Sequence, residues 1–278
     1  MITAKNQRFV PPAHWDAQIL CNHPAYRLIS TLLPLAQQSD FPSVDTLTAW
    51  SRHLRPAHAV RFVDAAVLES DPRYYEVFIA ETSAVPTRSQ NWHDLFGALV
   101  WMLFPQSKTA LNRRHLEEIR QHGSKNRSAL RHQLTLFDEC GLLLLHRAEL
   151  EQVPALLRQH QWTEVFLNQR LHWGLGVWPW VFGHANFEML TRPFIGLTGK
   201  LWPIPVPAAF ENWPLHQQVD FVDTELSKQI AVFSLTEFRN QMSPLPLLGI
   251  PDWSHQAQTE QFYQDQNYFR PKRVTTQP

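Results

Sequence analysis

The stretch NWHDLFGALVWMLF, residues 91–104, sets three polar side chains directly ahead of ten almost wholly apolar ones. A helix that is apolar all round has to be buried, so the rest of the chain must be arranged to cover this one. Asn91 is a preferred N-cap, and Asp94 three residues later makes a variant of the capping box. In that reading Asn91 accepts from the Asp94 amide, Asp94 reaches back, and its charge suits the helix dipole. Capping leaves His93 unexplained. Gly97 lies one turn beyond His93 on the same face, which therefore lacks a side chain and can admit a ligand or a closely packed backbone.

Outward from this helix, residues 24–38 and 43–54 read as amphipathic helices, the second capped by Ser43. Residues 61–68 and 74–82 are rich in Val, Phe, Tyr and Ile around an ESDP turn, which predicts a β-hairpin. Pro105 stops or bends the central helix. Another follows over 107–122 and ends at Gly123. Residues 133–137 and 142–146 flank DECG and read as a second hairpin, with Gly141 at positive φ. Helices are expected at 149–160, 162–171, 180–190 and 215–227, with a proline-broken extended segment over 193–214. The tail from Ser243 is Pro-rich yet strongly apolar, so it should wrap a surface. The fold class expected is α+β, mainly α-helical: a single domain with two short β-hairpins and a wrapping tail. N-terminal helices would occupy 12–56, the main body 57–253 and the tail 254–278.

Nine glycines against 21 prolines in 278 residues argue against a Gly-rich nucleotide-binding α/β fold. Formal net charge is zero, which removes a general electrostatic case for nucleic acid or membrane binding. Its distribution is uneven. Between Lys108 and Arg131 seven Lys or Arg face Glu117 and Glu118, while between Glu211 and Glu237 five carboxylates face Lys228. Two cysteines, Cys21 and Cys140, cannot form a disulfide framework or a four-thiolate zinc site. The N-terminal segment has no apolar run of the secretory kind, and the longest apolar runs, 95–104 and 173–183, are too short to span a bilayer. A cytoplasmic protein is the expectation.

Four polar groupings can carry chemistry. The first is His93 with Asp94. In the second, FGHANFEML (residues 182–190), His184 and Glu188 are four apart on one helical face, where imidazole and carboxylate can share a divalent metal or work as an oriented base. The third is Asp138 in LTLFDECG, which ordinary turn chemistry also explains. The fourth is LNRRH, residues 111–115, in which Asn112 and His115 face one way and Arg113 and Arg114 another. No GxGxxG, Walker, HExxH, GxSxG, recognition-helix or zinc-finger pattern occurs.

Taken in order, VPTRSQNWHDLFGALVW, FPQSKTALNRRH, LTLFDECG, FGHANFE and PLPLLGIPDW resemble the blocks of a bacterial family, the domain-of-unknown-function family numbered 3025. They extend from about Val85 to Trp253. Cys140 departs from the resemblance, standing where Asn is expected. The family implies no activity to carry over, so function rests on the residues.

The leading expectation is a metal-dependent hydrolase of an anionic or phosphorylated substrate. His93, His184 and Glu188 would be ligands to Zn, Mn or Fe, with Asp94 or Asp138 completing the shell. Arg114 and His115 would hold the anion or protonate the leaving group. The alternative is a non-enzymatic binding module. There Trp162, Trp173, Trp178, Trp180, Trp202 and Trp213 line an apolar groove, and the basic stretch meets an acidic partner or lipid headgroups. A purely structural chain, its polar residues all caps and turns, is the third reading.

Overall fold

A computed structural model describes residues 9–272. The chain begins with α1 (Ala17–Asn22), α2 (Arg27–Leu32) and α3 (Val44–Leu54). Of the helix expected over 24–38, residues 27–32 form α2, which stops before Pro34, and 3-10 turns flank it at Pro24–Tyr26 and Leu35–Gln37, while α3 starts where Ser43 accepts from the Thr46 amide at 3.1 Å. Strand β1 (Arg61–Asp64), α4 (Tyr75–Thr82) and β2 (Ala84–Thr87) come next.

The first expected hairpin is therefore corrected: β1 and β2 pair in parallel, with Phe62 opposite Val85, and α4 is the crossover between them. Parallel strands cannot be joined by a tight turn and need such a connection. Residues 75–82 are helical because Phe78 and Ile79 bury together on one side, and Ser83, at φ 52°, ends the helix in the left-handed region.

Helix α5 (Trp92–Leu103) runs through the core with nine of its residues buried. It turns directly into α6 (Pro105–His122), with Pro105 in the first turn, where its missing N–H costs nothing. The amides of Gln106 and Ser107 at that turn donate to Asp223 at 3.0 and 2.8 Å, so a buried carboxylate from a distant helix caps α6. Next are α7 (Ala129–Cys140), β3 (Gly141–Arg147), α8 (Gln152–Arg158), β4 (Val177–Val181), α9 (His184–Met189) and β5 (Thr198–Val206). The second expected hairpin is also corrected. Residues 129–140 are one helix, capped by Ser128, whose hydroxyl accepts from the Arg131 amide. Leu130, Leu134 and Phe137 give it a helical stripe. Gly141 has φ −62°, not a positive value. It is glycine because a Cβ there would stand 2.7 Å from the Phe137 carbonyl oxygen.

Strand β3 is the buried centre of a mixed sheet ordered β4-β3-β5-β6, where β6 is Pro244–Pro246. Leu142–Leu145 are all fully buried, as expected of a strand covered on both faces. β3 pairs antiparallel with β4 (Leu143 opposite Trp180) and parallel with β5 (Leu143 opposite Trp202). The first residues of the helix expected over 180–190 thus belong to β4, and only His184–Met189 are helical. Between α8 and β4 the expected helix over 162–171 is a π turn, Glu164–Asn168, and a 3-10 turn, Arg170–His172.

Helix α10 (Leu215–Val232) is longer than expected, and α11 (Leu235–Gln241), with a complete Ser234/Glu237 capping box, was not anticipated. The tail wraps as expected and includes α12 (Glu260–Tyr263). Trp253, Tyr263, Tyr268 and Phe269 are buried, and the Tyr268 hydroxyl donates to the Leu197 carbonyl at 2.6 Å. Residues 273–278 of that tail, and residues 1–8 of the N-terminal segment, lie outside the described residues. One hydrophobic core joins residues from Leu20 to Phe269. No helix among the described residues is long and apolar enough to cross a membrane.

Candidate metal centre

Three elements meet at the start of α5. Asn91 caps α5 as expected, accepting from the Asp94 amide at 3.0 Å. Asp94 does not reach back to complete a box. It is taken by Arg88, which donates through Nε at 2.9 Å, Nη2 at 2.7 Å and its own amide at 2.7 Å. Burial works to raise the Asp94 carboxyl, but the hydrogen bonds and charge of Arg88 together hold it below its ordinary value. With Asp94 pinned, the first turn of α5 is fixed and His93 projects from it toward α9.

His184 is the first residue of α9, and its ring fills the space left open beside Gly97. A Cβ on Gly97 would meet the His184 ring at 3.9 Å, ordinary contact distance. The two imidazoles lie edge to face, centroids 4.5 Å apart and planes at 70°, with Nε2 to Nε2 at 3.1 Å. Glu139, in the last turn of α7, brings Oε2 to 3.6 Å from Nε2 of His184 and 3.9 Å from Nε2 of His93. His93, Glu139 and His184 can each offer one ligand atom within 4.8 Å of the others. A point equidistant from those three atoms lies about 2.1 Å from each, which is the bond length of Zn to imidazole nitrogen or carboxylate oxygen.

Behind each imidazole stands a carboxylate. Nδ1 of His93 is 3.1 Å from Oε2 of Glu188, and Nδ1 of His184 is 3.9 Å from Oδ2 of Asp138. Asp138 is ion-paired with Lys108, whose ammonium also lies over the Trp101 ring. At His93 this is the arrangement in which an outer carboxylate fixes a histidine tautomer and leaves the other nitrogen for a metal. The hydrogen bond to Glu188 raises the His93 imidazole above its ordinary value against the effect of burial, and burial lowers that of His184. The 3.1 Å contact between the two Nε2 atoms is a hydrogen bond whose direction depends on the histidine tautomers. A metal ion at that point would take the place of the shared proton. Nδ1 of His184 is buried with no hydrogen-bond partner, a position that a modest approach to Asp138 would satisfy.

The closeness of Glu139 to His184 depends on Gly183. A Cβ there would fall 2.4 Å from the Glu139 carbonyl oxygen and 2.6 Å from the Cys140 backbone. The Gly183 amide donates to the Gly141 carbonyl at 2.8 Å across the same junction. Backbone cannot yield as a flexible side chain does, so Gly183→Ala should destabilise the protein by about 1–3 kcal/mol. Gly97→Ala, which fits, should leave the chemical-denaturation midpoint unchanged or slightly raised. Equal midpoints for Gly183→Ala and wild type would refute the close-packed junction.

The three converging side chains line one end of a cavity of about 470 Å³. The expected site residues fall into three groups around it. His93 and His184 come together; Glu188 stands behind His93 and Asp138 behind His184, not among the nearest donors. His115 lines the same cavity further along, its imidazole pushed down to about 4 by burial. Arg114 does not join them: it donates to the carbonyls of Ile230 and Ala231 at 3.2 and 3.0 Å, holding the end of α10, and lines a separate cleft. Glu139 and Lys108 were not anticipated. Reading residues 128–140 as a Ser-capped helix would have placed Glu139 at its end, beside Asp138.

The six tryptophans divide among three aromatic clusters: Trp162 and Trp173 with Phe166, Trp202 with Phe137 and Phe238, and Trp178, Trp180 and Trp213 around Phe210. Trp162 and Trp202 are buried in the core.

No curated protein and no solved structure matched the chain in comparison. A family model does match, over residues 60–273, covering β1 through the wrapping tail and every residue of the candidate centre. On that match the chain belongs to the family described as Protein of unknown function (DUF3025).

Proposed function

We propose that this protein is a metal-dependent hydrolase acting on a small anionic or phosphorylated substrate. The observation that carries the reading is the convergence of Nε2 of His93, Nε2 of His184 and a Glu139 oxygen on one point at the end of a cavity, with Glu188 behind His93. Two imidazoles and one carboxylate leave coordination positions free for water and substrate, as catalytic sites of this donor type do. Zn, Mn and Fe all suit such a mixed nitrogen and oxygen set, and metal content decides among them. A bound ion would lower the pKa of its water and polarise the scissile group.

The chain's own residues then have distinct tasks. Glu188 orients His93 through Nδ1, and Asp138 would do the same for His184 once the 3.9 Å gap between them closed. Lys108, on the cavity wall, is ion-paired with Asp138 and holds that carboxylate on the His184 side of the centre.

The test is turnover by protein loaded with Zn, Mn or Fe against phosphomonoesters, phosphodiesters and esters of anionic acids, with His93→Ala as control. Metal-dependent hydrolysis that is lost in His93→Ala is the expected result. A metal-loaded enzyme silent across all three classes would contradict the reading.

A further inference from the structure

The cavity has a second end. Along α7 the residues facing it are Arg131, Thr135, Asp138 and Glu139, one helical face read over two turns. Arg131 precedes Glu139 by eight positions, which is about 12 Å along the helix axis. Along α6, Lys108 and His115 also face the cavity, with Lys108 ion-paired to Asp138 at the metal end.

Arg131 is buried, and its hydrogen-bond partners among the described residues are neutral. Nη1 donates to the Ser124 and Asn126 carbonyls at 3.1 and 3.4 Å, and Nη2 donates to the Tyr74 hydroxyl at 3.2 Å. Its Nε is buried without any hydrogen-bond partner, and so is Nδ1 of His115. Arg127 is exposed and donates only to the hydroxyl of Thr135. Neither guanidinium is ion-paired among the described residues. The carboxylates nearby are engaged elsewhere: Asp138 is ion-paired with Lys108, and Glu76, which feels the charge of Arg131 without pairing with it, accepts from Asn112 at 2.6 Å while burial disfavours its charged form. A buried cation without a direct ion pair is costly, and one kept beside a cavity is placed for an anion that comes from outside.

We infer that Arg127, Arg131, Tyr74 and His115 form an oxyanion subsite that holds a phosphate or carboxylate group remote from the bond broken at the metal. Arg127 supplies a guanidinium that is not ion-paired among the described residues, and Arg131 a fixed charge. Tyr74, whose oxygen accepts from Arg131, keeps its own O–H to donate. For its catalytic role the subsite rests on the hydrolase reading. Binding of the anion does not, because none of the four residues is a candidate metal ligand. The substrate is then elongated, its negative group serving as a handle two to three helical turns from the reacting end.

Chelator-treated protein, titrated with inorganic phosphate and separately with acetate at constant ionic strength, tests this by calorimetry. Wild type should bind at least one of the two, and which it prefers tells a phosphate handle from a carboxylate one. Arg127→Gln, at an exposed position that should fold normally, should weaken binding about tenfold, the loss of one charge-assisted hydrogen bond. Arg131→Gln should abolish it. Metal-free wild type that binds neither anion, or Arg127→Gln binding as wild type does, would overturn the subsite and leave the metal centre standing. Anion binding in a protein that takes up no metal would keep the subsite and remove the hydrolase reading.

Discussion

Glu139→Ala is expected to lose bound metal outright, whereas Glu188→Gln, also a carboxylate lost from the same cluster, should weaken metal affinity by only about 10- to 100-fold. The difference follows from position. Glu139 turns an oxygen toward Nε2 of both histidines, so removing it deletes one of three donors. Glu188 accepts from Nδ1 of His93 on the opposite side of the ring. A glutamine there still presents a carbonyl oxygen to that N–H, so the tautomer survives while the basicity conferred by the charge is lost. Competition against a chromogenic chelator measures both variants on one scale. Equal losses in the two would mean that Glu188 is itself a ligand, as its spacing from His184 in the sequence suggests.

Acid should expose a second large effect, at His115. Burial is the main reason its imidazole falls to about 4; the charges of Arg131, Lys108 and Arg127 push the same way and Asp138 opposes them. A histidine kept neutral in the fold binds its proton more readily when unfolded, so stability is full above the unfolded value near 6.5. It falls as pH drops from there toward 4. Over that window His115 alone should cost roughly 3 kcal/mol. His115→Gln removes this titration, and its urea midpoint should decline less than that of wild type between pH 7 and pH 4.5. Parallel decline of the two proteins would show that the imidazole is not held neutral.

Signals that act locally were legible in the sequence. Asn91, Ser43 and Gly123 mark helix ends through hydrogen bonds and backbone angles confined to a few residues, and each does so in the fold. What failed was the arbitration between strand and helix over short apolar runs. Leu134 to Phe137 carries the residue types of a strand, but Ser128 and the spacing of Leu130, Leu134 and Phe137 make it a helix. Trp180 and Val181 read as the start of a helix over 180–190, yet they belong to β4, where Trp178 and Trp180 stand opposite Leu145 and Leu143 of β3.

The site was legible to the same degree. His93 stood out because capping left it unexplained, and His184 because it sat among apolar residues. Glu188 was matched by helical spacing to His184, but its carboxylate bonds His93, a residue 95 positions away that only tertiary packing brings near. Glu139 was obscured by the hairpin reading of DECG, which gave its neighbour Asp138 the role of a turn residue. Arg114, singled out for its place in a basic stretch, serves instead to hold the end of α10. Charge along a sequence does not tell which arginine faces a cavity; Arg131 does, and its hydrogen bonds are known only from the fold.

Elemental analysis of protein purified without chelator and without a His-tag, wild type beside His184→Ala, tests the central claim most directly. The three-donor geometry predicts near-stoichiometric Zn, Mn or Fe in the wild type and none in His184→Ala. Wild-type protein that stays free of metal after all three have been offered would contradict it.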